Sequence, residues 1–164
     1  CYRGPLSNVS ERFKGVLEQY SFDGFVRVCG DSPFLDPALV DRCIEVFQKG
    51  EFDLVTNIMC RTFPKGQSVE VLRSKTFIKA VESMVRTDWQ EHVTRYYYDN
   101  ADEFRIFNIS SDEDHSSLQL SVDTADDAER FAGIVSCMDR PHWEYSWESI
   151  VDINNRVTTK IGVS

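Results

Sequence analysis

Phe25-Val26-Arg27-Val28-Cys29-Gly30-Asp31-Ser32-Pro33-Phe34-Leu35-Asp36-Pro37 reads as a strand, a turn and the first residue of a helix. Residues 25–29 are partly β-branched and aromatic, and Gly30 ends the run, so Asp31 falls just beyond the carboxyl end of a strand. Asp36 is a favourable N-cap, and Pro37 suits the first helical position, where a missing N–H costs nothing. Val40, Cys43, Ile44 and Phe47 then recur at helical spacing up to a stop at Gly50, which completes a strand-to-helix unit.

The segments on either side continue the alternation. Phe13, Val16, Leu17 and Tyr20 predict a helix over 10–20 that feeds this strand. Downstream, short strands are expected at 53–57 and 69–72, joined by a polar connection through Phe63-Pro64-Lys65-Gly66, with no requirement that they pair. Ser74 can cap a helix whose apolar positions are Phe77, Ala80, Val81, Met84 and Val85, and Thr87-Asp88 opens a second short helical stretch through Glu91, His92 and Tyr96. Strands at 104–109 and 118–122 precede a helix with Thr124 and Asp127 as its capping box, and residues 143–153 form a last helix candidate. Alternating helices and strands predict an α/β fold, a mostly parallel sheet with helices on both faces.

Composition limits what such a domain does. With 164 residues, 41% of them hydrophobic and 27% charged, the chain is one ordinary globular domain. Its net charge of -9 disfavours nonspecific nucleic-acid binding, which needs a basic surface to displace counterions. The five cysteines are odd in number and contain no CxxC, so reduced thiols and a cytoplasmic location are expected. No apolar run approaches the roughly 20 residues of a bilayer span. HExxH and GxSxG are absent from the sequence, which removes motif support for metallopeptidase and α/β-hydrolase chemistry.

Acidic residues carry the candidate chemistry. Asp31 lies on the rim where open α/β sheets bind ligands, although Asp-Ser-Pro is also ordinary Asx-turn chemistry. Asp123 ends the expected strand 118–122 just before a helix, where it serves either as a ligand or as the N-cap. If the two strands are neighbours, the carboxylates converge into a pair suited to a hard divalent cation. Glu70, flanked by Val69 and Val71, is a carboxylate able to orient a hydroxyl or a basic partner, or an ordinary strand-face residue. Glu91 and His92 form a polar helical patch, and Lys65 with Gly66 offers only a weak loop contact for phosphate.

In their order and separation these segments resemble the CMP-sugar-acid cytidylyltransferases, and most closely their spore-coat-polysaccharide and acylneuraminate branch. The resemblance runs through Tyr2-Arg3-Gly4, Val9 to Phe13, the stretch 27–37, Asp53-Leu54-Val55-Thr56-Asn57, Phe63-Pro64-Lys65-Gly66, Val69-Glu70-Val71, Glu91-His92-Val93-Thr94 and Val122-Asp123-Thr124. It implies a Rossmann-like nucleotidyltransferase domain over residues 1–164, a homodimer that uses CTP, a sugar-acid acceptor and magnesium. Asp31 and Asp123 correspond to the family's metal-side aspartates, Glu70 to the acceptor side, and Glu91 and His92 to a sugar-proximal and dimer-contact segment.

The family's first β-loop-α unit, with its basic nucleotide-clasping loop, has no counterpart before Cys1. Poor CTP binding, an inactive chain and an uncovered sheet surface are therefore expected. The alternatives are a noncatalytic sugar-binding or protein-interaction domain, or a nucleotidyltransferase with a different nucleotide donor.

Overall fold

The computed structural model describes residues 2–161, so Cys1 lies outside the described residues. Among the described residues, seven α-helices and four strands follow in the order α1 (Val9–Gln19), β1 (Gly24–Arg27), α2 (Pro37–Lys49), β2 (Leu54–Thr56), β3 (Glu70–Arg73), α3 (Ser74–Ser83), α4 (Thr87–Glu91), α5 (Arg95–Asp99), β4 (Ile106–Asn108), α6 (Ala125–Ser136) and α7 (Trp147–Ile161). The strands form one sheet in the order β1-β3-β2-β4. β3 is antiparallel to both β1 and β2, while β2 and β4 are parallel. The α/β expectation holds, but the sheet is mixed rather than mostly parallel: β1, β2 and β4 share one direction, and the reversed β3 between β1 and β2 makes two of the three pairs antiparallel. Strands 53–57 and 69–72 do pair, because the polar connection between them doubles back instead of crossing over.

Side-chain alternation builds the two layers. Phe25, Leu72, Leu54 and Ile106 share one row across the sheet and pack with Leu17, Phe77, Val81, Val93 and Tyr97 beneath α1, α3 and α5. The neighbouring row of Val26, Val71, Val55 and Phe107 faces the other way. There Val55 and Val71 join Cys43 and Phe47 of α2, Ile134 of α6, and Trp147, Ile150 and Val157 of α7.

Asp36 joins the loop after β1 to this second layer. One carboxylate oxygen accepts from the Ala38 N–H at 2.8 Å, capping α2 as expected, and the other accepts from the Trp147 N–H at the start of α7 at 2.9 Å. Asp36→Ala removes a cap and strands a buried N–H, and is expected to cost about 2 kcal/mol. Asp36→Asn, with one acceptor oxygen, should recover part of that loss in urea unfolding.

Three local expectations need correction. Residues 118–122 form no strand, only an isolated parallel bridge between Lys65 and Gln119, because Gly66 lets this segment lie against a loop instead of a sheet edge. The stretch 87–96 is broken into α4 and α5 at His92–Thr94. The last helix starts at Trp147, after a short 3-10 turn at His142–Glu144. Cys29, Cys43, Cys60 and Cys137 are free thiols, and no helix among the described residues is long and apolar enough to cross a membrane.

Candidate active site

Because β1, β2 and β4 run together, their carboxyl ends share one rim, and the reversed β3 brings its first residue to the same place. Arg27, Glu70, Thr56 and Asn108 form a single row across the sheet at that rim. This row shares a face with the apolar row of Phe25, Leu72, Leu54 and Ile106, so the face changes from greasy to polar where the strands end.

Glu70 is the centre of the row. It is 1% exposed and pairs with the Arg27 guanidinium at 2.6 Å. The Tyr98 hydroxyl on α5 donates to its other oxygen at 2.5 Å, and the Thr56 hydroxyl lies 2.9 Å from that of Tyr98. Burial, reinforced by the Glu70 charge, pushes the Tyr98 hydroxyl well above its ordinary pKa, so it stays a donor. Burial works against the Arg27 charge, but Glu70 outweighs it and holds the guanidinium above its usual value. Glu70 is thus a fully buried carboxylate with a basic partner, Arg27. Its carboxylate is committed to Arg27 and Tyr98, so any effect on an acceptor passes through those two groups.

Arg61 lies beside this network and has no carboxylate partner among the described residues. It donates to the Ser68 hydroxyl at 3.1 Å, and burial lowers its pKa. Burial likewise pushes the Cys29 thiol up, with Arg27 opposing, which argues against a thiolate nucleophile.

The Asp31 and Asp123 segments meet on the rim. The Val122 N–H donates to the Asp31 carbonyl at 2.9 Å, joining their backbones. Both side chains are exposed. Neither does the local work that competed with a ligand role. The turn at Asp31 is closed by the Ser32 N–H on the Cys29 carbonyl, and the Asp31 carboxylate accepts only from the Ser32 hydroxyl, at 2.9 Å, among the described residues. The N-cap of α6 is Thr124, in a capping box with Asp127, which leaves Asp123 outside the cap. One Asp123 oxygen accepts from Gln119 at 2.7 Å and from the Ser121 hydroxyl at 3.0 Å.

The remaining sequence candidates do not converge here. Glu91 and His92 are exposed at the end of α4, on the layer beneath α1. Gly66 is buried against Leu120 and Ser121, so with Lys65 it shapes the loop and is not a free phosphate cradle. Arg27, Arg61 and Tyr98 escaped the sequence reading. The spacing of Phe25 and Arg27 put a charge on an apolar strand face, but its partner Glu70 lies 43 residues away and is found only through strand pairing.

The donor set suits magnesium. No group of three or more His, Cys, Asp or Glu residues able to hold a metal occurs among the described residues. Two exposed carboxylates on adjoining segments match an ion that takes one or two protein carboxylates and completes its shell with water and substrate phosphate.

Comparison with known proteins adds a lineage to this geometry. A family model described as cytidylyltransferase matches residues 1–157. An uncharacterized protein of Methanocaldococcus jannaschii is 31% identical over 77% of this chain and 51% of its own length. The spore coat polysaccharide biosynthesis protein SpsF of Bacillus subtilis is 30% identical over 78% of this chain and 53% of its own length. The chain thus spans about half the length of these curated relatives. The solved structure of a cytidylyltransferase from Leptospira borgpetersenii has the same fold, with a TM-score of 0.88 at 24% identity, covering 96% of this chain and 66% of that one.

Proposed function

The chain belongs to the cytidylyltransferase family, and we propose that it carries acceptor-side and metal-side residues of a site that transfers CMP from CTP to a sugar acid for surface polysaccharide synthesis. The observation that carries this reading is the backbone junction between Asp31 and Asp123, two exposed aspartates whose carboxylates serve neither the turn nor the helix cap beside them. Asp31 and Asp123 would hold magnesium, which when bound offsets phosphate charge. The acceptor hydroxyl oxygen forms a bond to the α-phosphorus of CTP as the bond to the bridging oxygen breaks, pyrophosphate leaves with those electrons, and the hydroxyl proton is released to water. Arg61, a half-buried cation without an acidic partner among the described residues, is the group we assign to the acceptor carboxylate. Tyr98 and Arg27, fixed by Glu70, shape the wall beside it.

The positive charge on this rim is already spent in part. Arg27 pairs with Glu70, and Arg130 pairs with Asp127. A tetra-anionic nucleotide facing two carboxylates therefore finds little compensation from these residues, and residues 1–164 alone are proposed to turn CTP over weakly or not at all. The proposal extends to a cytoplasmic homodimer, with Glu91 and His92 at its sugar-proximal or dimer-contact surface.

The test is mass spectrometry of the natural gene product incubated with magnesium, CTP and a panel of sugar acids, with other nucleoside triphosphates in parallel. A product of acceptor plus CMP, with pyrophosphate released, is expected only with CTP. Asp31→Asn should lower kcat/KM about 100-fold, a loss of about 2.7 kcal/mol in transition-state stabilisation. Turnover with another triphosphate but not CTP would overturn the donor assignment, and wild-type rates in Asp31→Asn would overturn the site.

A further inference from the structure

Asp123 directly follows residues 118–122, a segment that belongs to no strand and whose backbone is attached by one bridge to Lys65 and by the Val122 N–H on the Asp31 carbonyl. Arg130, in the second turn of α6, adds side-chain bonds to that backbone attachment. Its Nη1 donates to the Gln119 carbonyl and, at 3.2 Å, to Asn154 of α7. Its Nη2 donates to Asp127 at 2.7 Å and reaches the Ser121 carbonyl at 3.5 Å. Gln119 and Ser121 are the two residues whose side chains donate to the Asp123 carboxylate. Asp127, held by Arg130, accepts in turn from the N–H groups of Asp123 at 3.1 Å and Thr124 at 3.0 Å.

We propose that Arg130 is the positioning residue of Asp123: its planar fork clamps both neighbours that aim the carboxylate, and Asp127 fixes the backbone from the other side. A guanidinium suits this task because five donors in one rigid plane reach four acceptors at once, which the compact ammonium of lysine does not. The clamp also ties the rim to α7 through Asn154, so the far helix layer holds the aspartate in register. This assignment rests on the proposed role of Asp123 at the metal.

The experiment uses the natural gene product with Arg130→Lys, Asp123→Asn and the double variant. Two readouts are taken: hydrogen exchange at the Leu120 and Val122 amides, which donate to the Lys65 and Asp31 carbonyls, and the affinity for Mn2+ in the presence of CTP. Arg130→Lys is expected to leave Tm close to wild type, speed exchange at both amides about tenfold, and weaken Mn2+ about tenfold, as supporting groups around metal ligands commonly do. In the Asp123→Asn background Arg130→Lys should cost no further Mn2+ affinity, because the group it aims is gone.

Wild-type exchange at both amides overturns the clamp, and so does an equal Mn2+ loss in the two backgrounds. Wild-type Mn2+ affinity in Asp123→Asn overturns the proposal through the metal reading itself, and that failure is recognised because the amides of Arg130→Lys still exchange fast. Should Arg130→Lys not fold, Asp127→Asn, which frees one end of the clamp, carries the same two readouts.

Discussion

Replacing Gly66 with alanine is expected to cost about 3 kcal/mol, roughly 10 °C in Tm for a domain of this size, and to abolish whatever activity the Asp123 segment supports. Two independent reasons combine. Gly66 has φ +95°, a conformation that L side chains rarely adopt, and it follows Lys65 in a turn closed by the Gln67 N–H on the Pro64 carbonyl at 3.1 Å. A Cβ built there lies 2.6 Å from the Leu120 carbonyl carbon and the Ser121 nitrogen. These are backbone atoms that no rotamer change moves aside. The segment carrying Asp123 must shift, although it is held on both sides by Lys65, whose N–H donates to Leu118 and whose carbonyl accepts from Leu120. Gly30→Ala is the internal control, since a Cβ at Gly30 meets nothing within 4 Å. Thermal melts of the two variants check the prediction, and a Gly66→Ala protein melting within about 1 °C of wild type would contradict it.

Arg27→Met should be at least as damaging, at about 3–5 kcal/mol, because it leaves the Glu70 carboxylate buried with the Tyr98 hydroxyl as its remaining side-chain donor. The desolvation of Glu70 is the cost, and the lost attraction is the smaller part. The second-site change Glu70→Gln should therefore recover about 2 kcal/mol or more in the Arg27→Met background, while Glu70→Gln alone destabilises the otherwise native protein. Urea unfolding of the four proteins in the cycle measures this. Additive losses would mean that Arg27 and Glu70 are not coupled across β1 and β3.

The site was legible in the sequence where its geometry is local. Asp36 and Pro37 mark the helix start, Thr124 and Asp127 write the capping box, and the turn after β1 exposes Asp31, all within a few residues of chain. Glu70 was visible only as a charge between valines. Its commitment to Arg27 and Tyr98 depends on residues 43 and 28 positions away, which no local pattern encodes. The expected strand at 118–122 failed for a related reason. Leu118, Leu120 and Val122 have strand-like alternation, but alternation reports a half-buried extended chain and does not say whether a sheet edge or a loop lies beside it.

By itself the sequence determined an α/β chain, an acidic rim past β1 and a resemblance to cytidylyltransferases, because periodicity, caps and motif order are written over short distances. Only the tertiary structure decided that β3 runs backwards and carries Glu70 to the rim, that the Asp31 and Asp123 backbones meet, and that Arg130 bridges to α7. Those outcomes are set by which extended segments find free backbone partners and which buried charges find counter-charges, and both depend on the whole chain packing at once.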